Sequence, residues 1–297
     1  MFSTSRALRS RSIVSKFEVE RKFVPSLLLK KYACETVTTP HIDVTSATGH
    51  GSKVSLTRLP RKRITVKCFD HKGLLERKGI WVRWRKEEVT TTDGIHAISS
   101  HTSWEAKVKQ GGNFLDSQFV EAEGRDAVED LITGAGVCRS IYDLSFQLGV
   151  IADRIGWAVN GYDGEEVVDG SATMSLVLDT VSAALEGRNG ECPIPMHHEV
   201  AELELETIVA TNHLSEYERN HAPQTEAMHA KLTAFVSTYS TLFETASLPV
   251  GKITAYKQQK QELAARSKKA NAINRLANMS EVRYERLARE LKTVSGQ

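Results

Sequence analysis

Several large classes of protein are excluded by what this chain lacks. There are four cysteines in 297 residues, at positions 34, 68, 138 and 192, and no two share a CxxC spacing. Neither a zinc site nor a disulfide framework is therefore expected, and reduced thiols inside a cell are the natural state. No apolar run approaches the roughly 20 residues needed to span a bilayer, and the mean hydropathy is −0.32. A strong excess of either charge is missing as well. The formal net charge of +2 is too near balance for a protein that grips a nucleic acid backbone. No internal repeat is present. Nothing in this composition calls for a membrane or an obligate protein partner. With 40% hydrophobic residues the chain has enough apolar side chains for a substantial core, in one large domain or two.

What is present is charge in alternation. Residues 17–23 read Phe-Glu-Val-Glu-Arg-Lys-Phe. On an extended strand Glu18, Glu20 and Lys22 share one face, while Val19, Arg21 and Phe23 take the other. Carboxylate oxygens suit Mg²⁺ or Mn²⁺, and an ammonium suits phosphate. One such strand is equally well a solvated face. The pattern recurs, however, at Glu202, Glu204 and Glu206, which alternate with Leu203 and Leu205. Three carboxylates in line repel one another, and the leucines mark the opposite face as buried.

Further strands are expected at 64–69, 80–86, 103–109, 118–123, 150–159, 173–180 and 199–209, separated by loops rich in Gly, Ser, Thr and Asp. Helical spacing runs from Gly124 to about Arg139. It returns over 214–246, with Leu232, Phe235, Val236, Tyr239 and Leu242 as the inward stripe. The segment 183–198, holding Gly187, Gly190, Pro193 and Pro195, reads as a loop. About eight antiparallel strands with charged alternate positions suit a closed barrel whose middle is a polar tunnel. The expected class is α+β, a closed antiparallel β-barrel with flanking helices and a C-terminal helical extension.

Glu-Val-Glu-Arg-Lys-Phe resembles the ExExK signature of the CYTH superfamily, the triphosphate tunnel enzymes. Later blocks follow the order of that family. Trp81-Val-Arg83-Trp-Arg85 is similar to its arginine strand, and Trp104-Glu-Ala-Lys107 to its W-E-x-K block. Arg154 before Ile-Gly-Trp157, Leu176-Val-Leu-Asp179-Thr180, Glu202-Leu-Glu204 and Pro249-Val-Gly-Lys252 complete a resemblance spanning roughly 17–256. A tryptophan two residues before the first strand arginine is most like the thiamine triphosphatase branch. There are departures. Cys68-Phe-Asp-His71 stands where animal members carry a Tyr-Tyr pair, Val177 precedes Asp179 in place of a second aspartate, and Ala201 replaces a frequent glycine. The stretches 41–63 and 88–101 are read as longer loops than in animal members.

The resemblance implies a tunnel in which Glu18, Glu20, Asp179, Glu202 and Glu204 hold Mg²⁺, with Mn²⁺ as the alternative. Lys22, Trp81, Arg83, Arg85, Lys107, Arg154 and Lys252 would bind a small-molecule triphosphate, with Lys22, Arg83, Arg85 and Lys107 acting catalytically. Charges of both signs are costly in a low-dielectric interior without partners. Segregating them, acids on cations and bases on a polyanion, resolves that cost. Three functions stay open: a thiamine triphosphatase, an inorganic triphosphatase or nucleotide-handling relative, and a non-catalytic phosphoanion-binding module. Arg83 and Arg85 as structural bridges to internal glutamates remain an alternative to a ligand role. Glu121 and Glu123 form a third E-x-E, held in reserve. His197-His198-Glu199, after a proline-rich loop, is expected to face solvent rather than to bind metal.

The expected organisation is a basic segment over 1–16, a tunnel domain over 17–256 and a charged helical extension over 257–297. The first sixteen residues carry Arg6, Arg9, Arg11, Lys16 and five serines with no acid, which suits either a transit peptide or a plain tail. Cytoplasmic and mitochondrial locations both remain expectations.

Overall fold

A computed structural model describes residues 13–35, 41–47, 53–90, 97–113, 115–162, 172–187, 189–211, 222–244, 246–271 and 273. Of the basic N-terminal segment, residues 1–12 lie outside this set. The strands are β1 (Ile13–Pro25), β2 (His41–Thr45), β3 (Lys53–Arg58), β4 (Lys62–Asp70), β5 (Ile80–Thr90), β6 (Ala97–Gly112), β7 (Asp116–Glu123), β8 (Ser145–Asn160), β9 (Thr173–Glu186), β10 (Cys192–Thr211) and the short β11 (Phe243–Glu244). The helices are α1 (Leu27–Glu35), α2 (Leu74–Arg77), α3 (Arg125–Gly134) and α4 (Ala222–Thr238), and a further helix runs over 252–271.

Hydrogen-bonded neighbours run in the order β8, β4, β5, β6, β7, β1, β10, β9, and β9 then pairs back onto β8. Eight strands thus close on themselves. Every pairing is antiparallel. Closure removes the free edges that an open sheet of this size exposes. A hairpin of β2 and β3 extends the sheet from the far end of β8, and β11 pairs with the end of β1. The expected fold class is the one observed, an α+β closed antiparallel barrel with flanking helices.

Two apolar clusters lie outside the barrel wall. The larger joins Phe17, Val19, Leu176, Leu203 and Leu205 of the strands to Leu29 of α1, to Met228, Leu232 and Phe235 of α4 and to Tyr239 just after it. The smaller seats Val128 and Ile132 of α3 on Ile80, Val82 and Ala106. With apolar side chains committed to the outer faces, the period-two rule sends the charged positions into the lumen. Two glycines show why no other residue serves. A Cβ on Gly112, which has φ +75°, would lie 1.9 Å from the Asp116 carbonyl in the β6–β7 turn, and one on Gly149 would lie 2.5 Å from the Val66 carbonyl of β4.

Several elements differ from the sequence expectation. β1 begins at Ile13, so Lys16 belongs to a strand rather than to a basic tail. The stretch 41–63, expected as loop, carries β2 and β3. The expected loop 183–198 is mostly strand. β9 runs to Glu186 and β10 restarts at Cys192, with Pro193 and Pro195 paired to Leu185 and Ala183. Proline is tolerated there because this end of β10 pairs with β9 alone, β1 joining only from Ala201 onward, so each proline nitrogen can face the unpaired side. The expected helical stretch 214–246 is helix α4, a short 3-10 turn and β11, with 212–221 and 245 outside the described residues. Met1–Lys252 and Ile253–Gln297 form two compact units.

Candidate active site in the barrel lumen

Strand β1 sets the site. Phe17, Val19 and Phe23 point into the larger apolar cluster, which turns Lys16, Glu18, Glu20 and Lys22 inward. Its neighbour β10 is held in register by Leu203 and Leu205 on the same outer side. That register places Glu18 opposite Glu206, Glu20 opposite Glu204 and Lys22 opposite Glu202. Two of these three cross-strand pairs oppose carboxylate to carboxylate, an arrangement that destabilises a sheet unless a cation intervenes. Across the lumen, β5 and β6 contribute Trp81, Arg83 and Arg85 with Glu105 and Lys107. Arg154 of β8 stands opposite Asp179 of β9.

All twelve expected site residues line this one lumen, but acids and bases are interleaved rather than segregated. Arg83 donates from Nε to Glu105 at 2.5 Å and from Nη2 to Glu121 at 3.2 Å. Lys107 lies 2.7 Å from both Glu18 and Glu121 and 3.6 Å from Glu20. Lys22 pairs with Glu20 and, at 3.7 Å, with Glu202. Arg154 holds both Asp179 oxygens at 2.8 Å in a fork and reaches Glu202 and Glu204 at 3.4 Å. Lys252 approaches Asp179 at 2.5 Å and Glu202 at 3.5 Å. Without a ligand, the bases neutralise the acids directly.

That neutralisation is uneven. Burial alone would raise Asp179 and Glu202. Arg154 and Lys252 outweigh it at Asp179, and Lys252, Lys22 and Arg154 outweigh it at Glu202, holding both below the ordinary carboxylate range. Glu20 is likewise held down against burial by Lys107 and Lys22. Glu18 goes the other way. Burial drives it well above the ordinary range, the charges of Glu121, Glu20 and Glu204 add to that, and Lys107 only partly opposes them. Glu204 is also raised, first by burial and then by Glu202 and Glu206.

The two raised carboxylates, Glu18 and Glu204, converge with Glu206, which pairs with Lys16. Oxygens of Glu18, Glu204 and Glu206 lie within 4.8 Å of one another. An all-oxygen set of this kind fits a hard divalent cation such as Mg²⁺ or Mn²⁺. Of the expected ligands, Glu18 and Glu204 are in this group. Asp179 and Glu202 pair with Arg154 and Lys252, and Glu20 with Lys22, while within the converging group Glu18 pairs with Lys107, Glu204 with Arg154 and Glu206 with Lys16. Val177, one step along from Asp179, faces the lumen as an apolar residue, and its Cγ1 would touch a Cβ on Gly156.

On the basic wall, Arg85 pairs with Glu87 and more distantly with Glu105 at 3.9 Å, yet its buried Nε has no partner among the described residues. A buried guanidinium donor in this position can donate to an oxyanion, although Arg61 Nε and Trp157 Nε1 are likewise buried without a partner among the described residues. Trp81 is 38% exposed and meets Phe119 edge to face at 5.7 Å. The Lys107 ammonium sits 5.0 Å from the Phe119 ring centre.

Glu105, Glu206, Glu87, Lys16, Lys62 and Phe119 are lumen residues that sequence reasoning did not assign, and Glu121 was only held in reserve. The signal was available for most of them. Glu105 is two positions from Lys107, Glu206 two from Glu204, and Lys16 two from Glu18, so alternation alone puts each beside an assigned neighbour. Glu87 and Lys62, which pair at 2.8 Å, are legible only from the β4–β5 register.

No family model matches this sequence, and no curated protein matches it either. Solved structures of loosely similar shape include the PH1819 protein of Pyrococcus horikoshii, at TM-score 0.38 and 14% identity, covering 76% of this chain and 91% of that one. A candidate adenylyl cyclase from Hippeastrum, described as having a dominant triphosphatase activity, scores 0.42 at 11% identity over 83% of this chain and 96% of its own. A candidate adenylate cyclase from Bacillus halodurans scores 0.40 at 13% identity over 80% and 96%. Superpositions this loose leave the chemistry to be read from the lumen itself.

Proposed function

We propose that the lumen binds the triphosphate chain of a small molecule together with Mg²⁺ and hydrolyses its terminal phosphoryl group, with thiamine triphosphate as the substrate. The observation that carries this reading is the coexistence, in one closed barrel, of three converging carboxylates and a facing set of buried arginines and lysines with an orphan donor. A triphosphate with its cation satisfies both sets at once. Phosphoryl transfer asks mainly for positioning and charge neutralisation, which is the chemistry these residues offer.

Lys22, Arg83, Arg85, Lys107 and Arg154 turn from their glutamate partners to the non-bridging oxygens and fix the phosphate chain along the tunnel. Forked guanidinium contacts set its rotation, and the ammoniums add compact charge. Lys107 is held protonated, since Glu121, Glu18 and Glu20 more than offset its burial and raise it well above the ordinary lysine range. Its role is therefore electrostatic stabilisation of the developing charge rather than proton transfer. A divalent cation held by Glu18, Glu204 and Glu206 would supply further charge neutralisation and activate the attacking water. Trp81, beside Phe119 and partly open to solvent, offers a π face to a cationic thiazolium.

Phosphate release from thiamine triphosphate, tripolyphosphate and ATP, with Mg²⁺ and with Mn²⁺, tests the reading. The expected order puts thiamine triphosphate first. A preference for tripolyphosphate makes the protein an inorganic triphosphatase, and binding without release makes it a phosphoanion-binding module.

A further inference from the structure

The His197-His198-Glu199 motif is absorbed neither by the lumen chemistry nor by a metal cluster. The structure separates its members. His197 is exposed, Glu199 pairs with Lys30 of α1 at 2.6 Å, and His198 is half-buried. In register, His198 stands opposite Val181, just as Val200 stands opposite Asp179. His198 therefore continues the inward row of Glu204, Glu202 and Val200 toward one end of the barrel. The bulge between Pro195 and His198 begins that row after the proline pair. The imidazole Nε2 donates to the Val250 carbonyl at 2.7 Å. Two residues further on, Lys252 sends its ammonium onto Asp179 and Glu202. Residues 249–251 have no helix or strand hydrogen bonding of their own.

We infer that His198 is a positioning residue. It pins the 249–252 segment to β10 so that the Lys252 ammonium is delivered to the lumen, where it acts as a ligand for the anion. The lysine's part in this rests on the triphosphate reading of the lumen. A lysine has a flexible four-carbon stem and large rotamer entropy, so its contribution depends on how firmly its backbone is held. The anchor is a single hydrogen bond on the element that also carries Glu202 and Glu204. Losing it frees the lysine without touching any carboxylate.

Tripolyphosphate binding, measured by calorimetry in EDTA so that no turnover occurs, tests the inference in His198→Ala, His198→Gln, His197→Ala and Lys252→Met backgrounds. One neutral hydrogen bond scales to a loss of about 3- to 10-fold in affinity for His198→Ala. His198→Gln keeps a donor and should stay within about twofold, as should His197→Ala. In the Lys252→Met background, His198→Ala should add less than about twofold, because the residue it positions is gone. In parallel, ligand-free hydrogen exchange over residues 246–252 should quicken about fivefold in His198→Ala. Equal losses with and without Lys252 overturn the inference, as does exchange that does not respond. If exchange responds while the wild type binds no tripolyphosphate, it is the triphosphate reading that falls, and the lysine's role as an anion ligand with it.

Discussion

The two walls of the lumen are built differently. The carboxylate wall of β1, β9 and β10 is backed by the larger apolar cluster, in which Phe17, Val19, Leu176, Leu203 and Leu205 are each no more than 1% exposed. The arginine wall of β5 and β6 is backed by the smaller cluster, and its outer face also shows the half-exposed Trp84, Lys86 and Glu88. The difference follows from charge. On β5 and β6, Arg83 and Lys107 pair with Glu105 and Glu121 from their own and adjoining strands, so the wall coheres electrostatically. On β1 and β10, Glu18 faces Glu206 and Glu20 faces Glu204, and Lys16, Lys22 and Lys107 offset that repulsion only in part. The wall stays closed because apolar packing behind it is strong. The acid wall stores repulsion, and the basic wall stores complementarity.

Substitutions inside the two walls should therefore part activity from stability, with the largest effect on the acid side. Glu18→Gln or Glu204→Gln removes a ligand charge at constant size. Activity should fall at least about a hundredfold, while thermal unfolding shows equal or greater stability, since a buried like charge is gone. Arg83→Met should lose activity and stability together, because Glu105 and Glu121 are left buried without their partner. A Gln variant that loses stability as steeply as Arg83→Met would break the comparison.

Behind the walls the order reverses in scale. Leu205→Ala should cost about 2–5 kcal/mol of stability through the cavity it leaves, measured by denaturant unfolding. Lys86→Ala, which breaks only a half-exposed 2.8 Å pair with Glu88, should cost less than about 1 kcal/mol. Comparable losses would mean that the acid wall has no special backing.

The walls also separate with pH. Glu18 and Glu204 are raised in the folded state, so between the ordinary carboxylate range and their folded values the native protein binds more protons than the unfolded chain. Stability must then fall as pH rises through that window. Asp179, Glu202 and Glu121 are lowered, so their contribution is present above the ordinary range and is lost on further acidification. The ligand-free melting temperature should therefore rise on mild acidification from neutral pH and drop only in stronger acid. Mg²⁺ should flatten the upper part of that curve by compensating Glu18 and Glu204. Scanning calorimetry with and without Mg²⁺ checks both signs.

The smallest effect on activity concerns the tunnel mouth. Trp81→Ala should lower kcat/KM for thiamine triphosphate about 5- to 30-fold and leave tripolyphosphate nearly unchanged. Equal losses on the two substrates would reduce Trp81 to a support for Phe119.

How much of this was legible in the sequence depended on whether one strand sufficed to see it. Period-two alternation exposed Glu18, Glu20 and Lys22, and likewise Glu202, Glu204 and Glu206, because each row lies on a single strand with an apolar back. It did not show that Glu206, rather than Asp179, meets Glu18 and Glu204. That depends on the β1–β10 register, and on Arg154 from β8 having taken both Asp179 oxygens. The β2–β3 hairpin was hidden because Ser, Thr and Gly dominate 41–58 and read as loop. Pro193 and Pro195 masked the start of β10, since proline normally argues against a paired strand and is accommodated here where β10 pairs on one side only. Those same prolines made His198 look like a surface residue, although the structure turns it inward.

The proposed function depends most directly on Glu18, Glu204 and Glu206, whose oxygens converge, being able to hold a divalent cation that works with the facing bases. Phosphate release from thiamine triphosphate, titrated with Mg²⁺ in wild type and Glu204→Gln side by side, tests that directly. The account predicts no release in EDTA, saturable activation by Mg²⁺ in the wild type, and at least about a hundredfold less in Glu204→Gln at any Mg²⁺ concentration. Full activity in EDTA, or a Glu204→Gln curve that overlays the wild type, would contradict it.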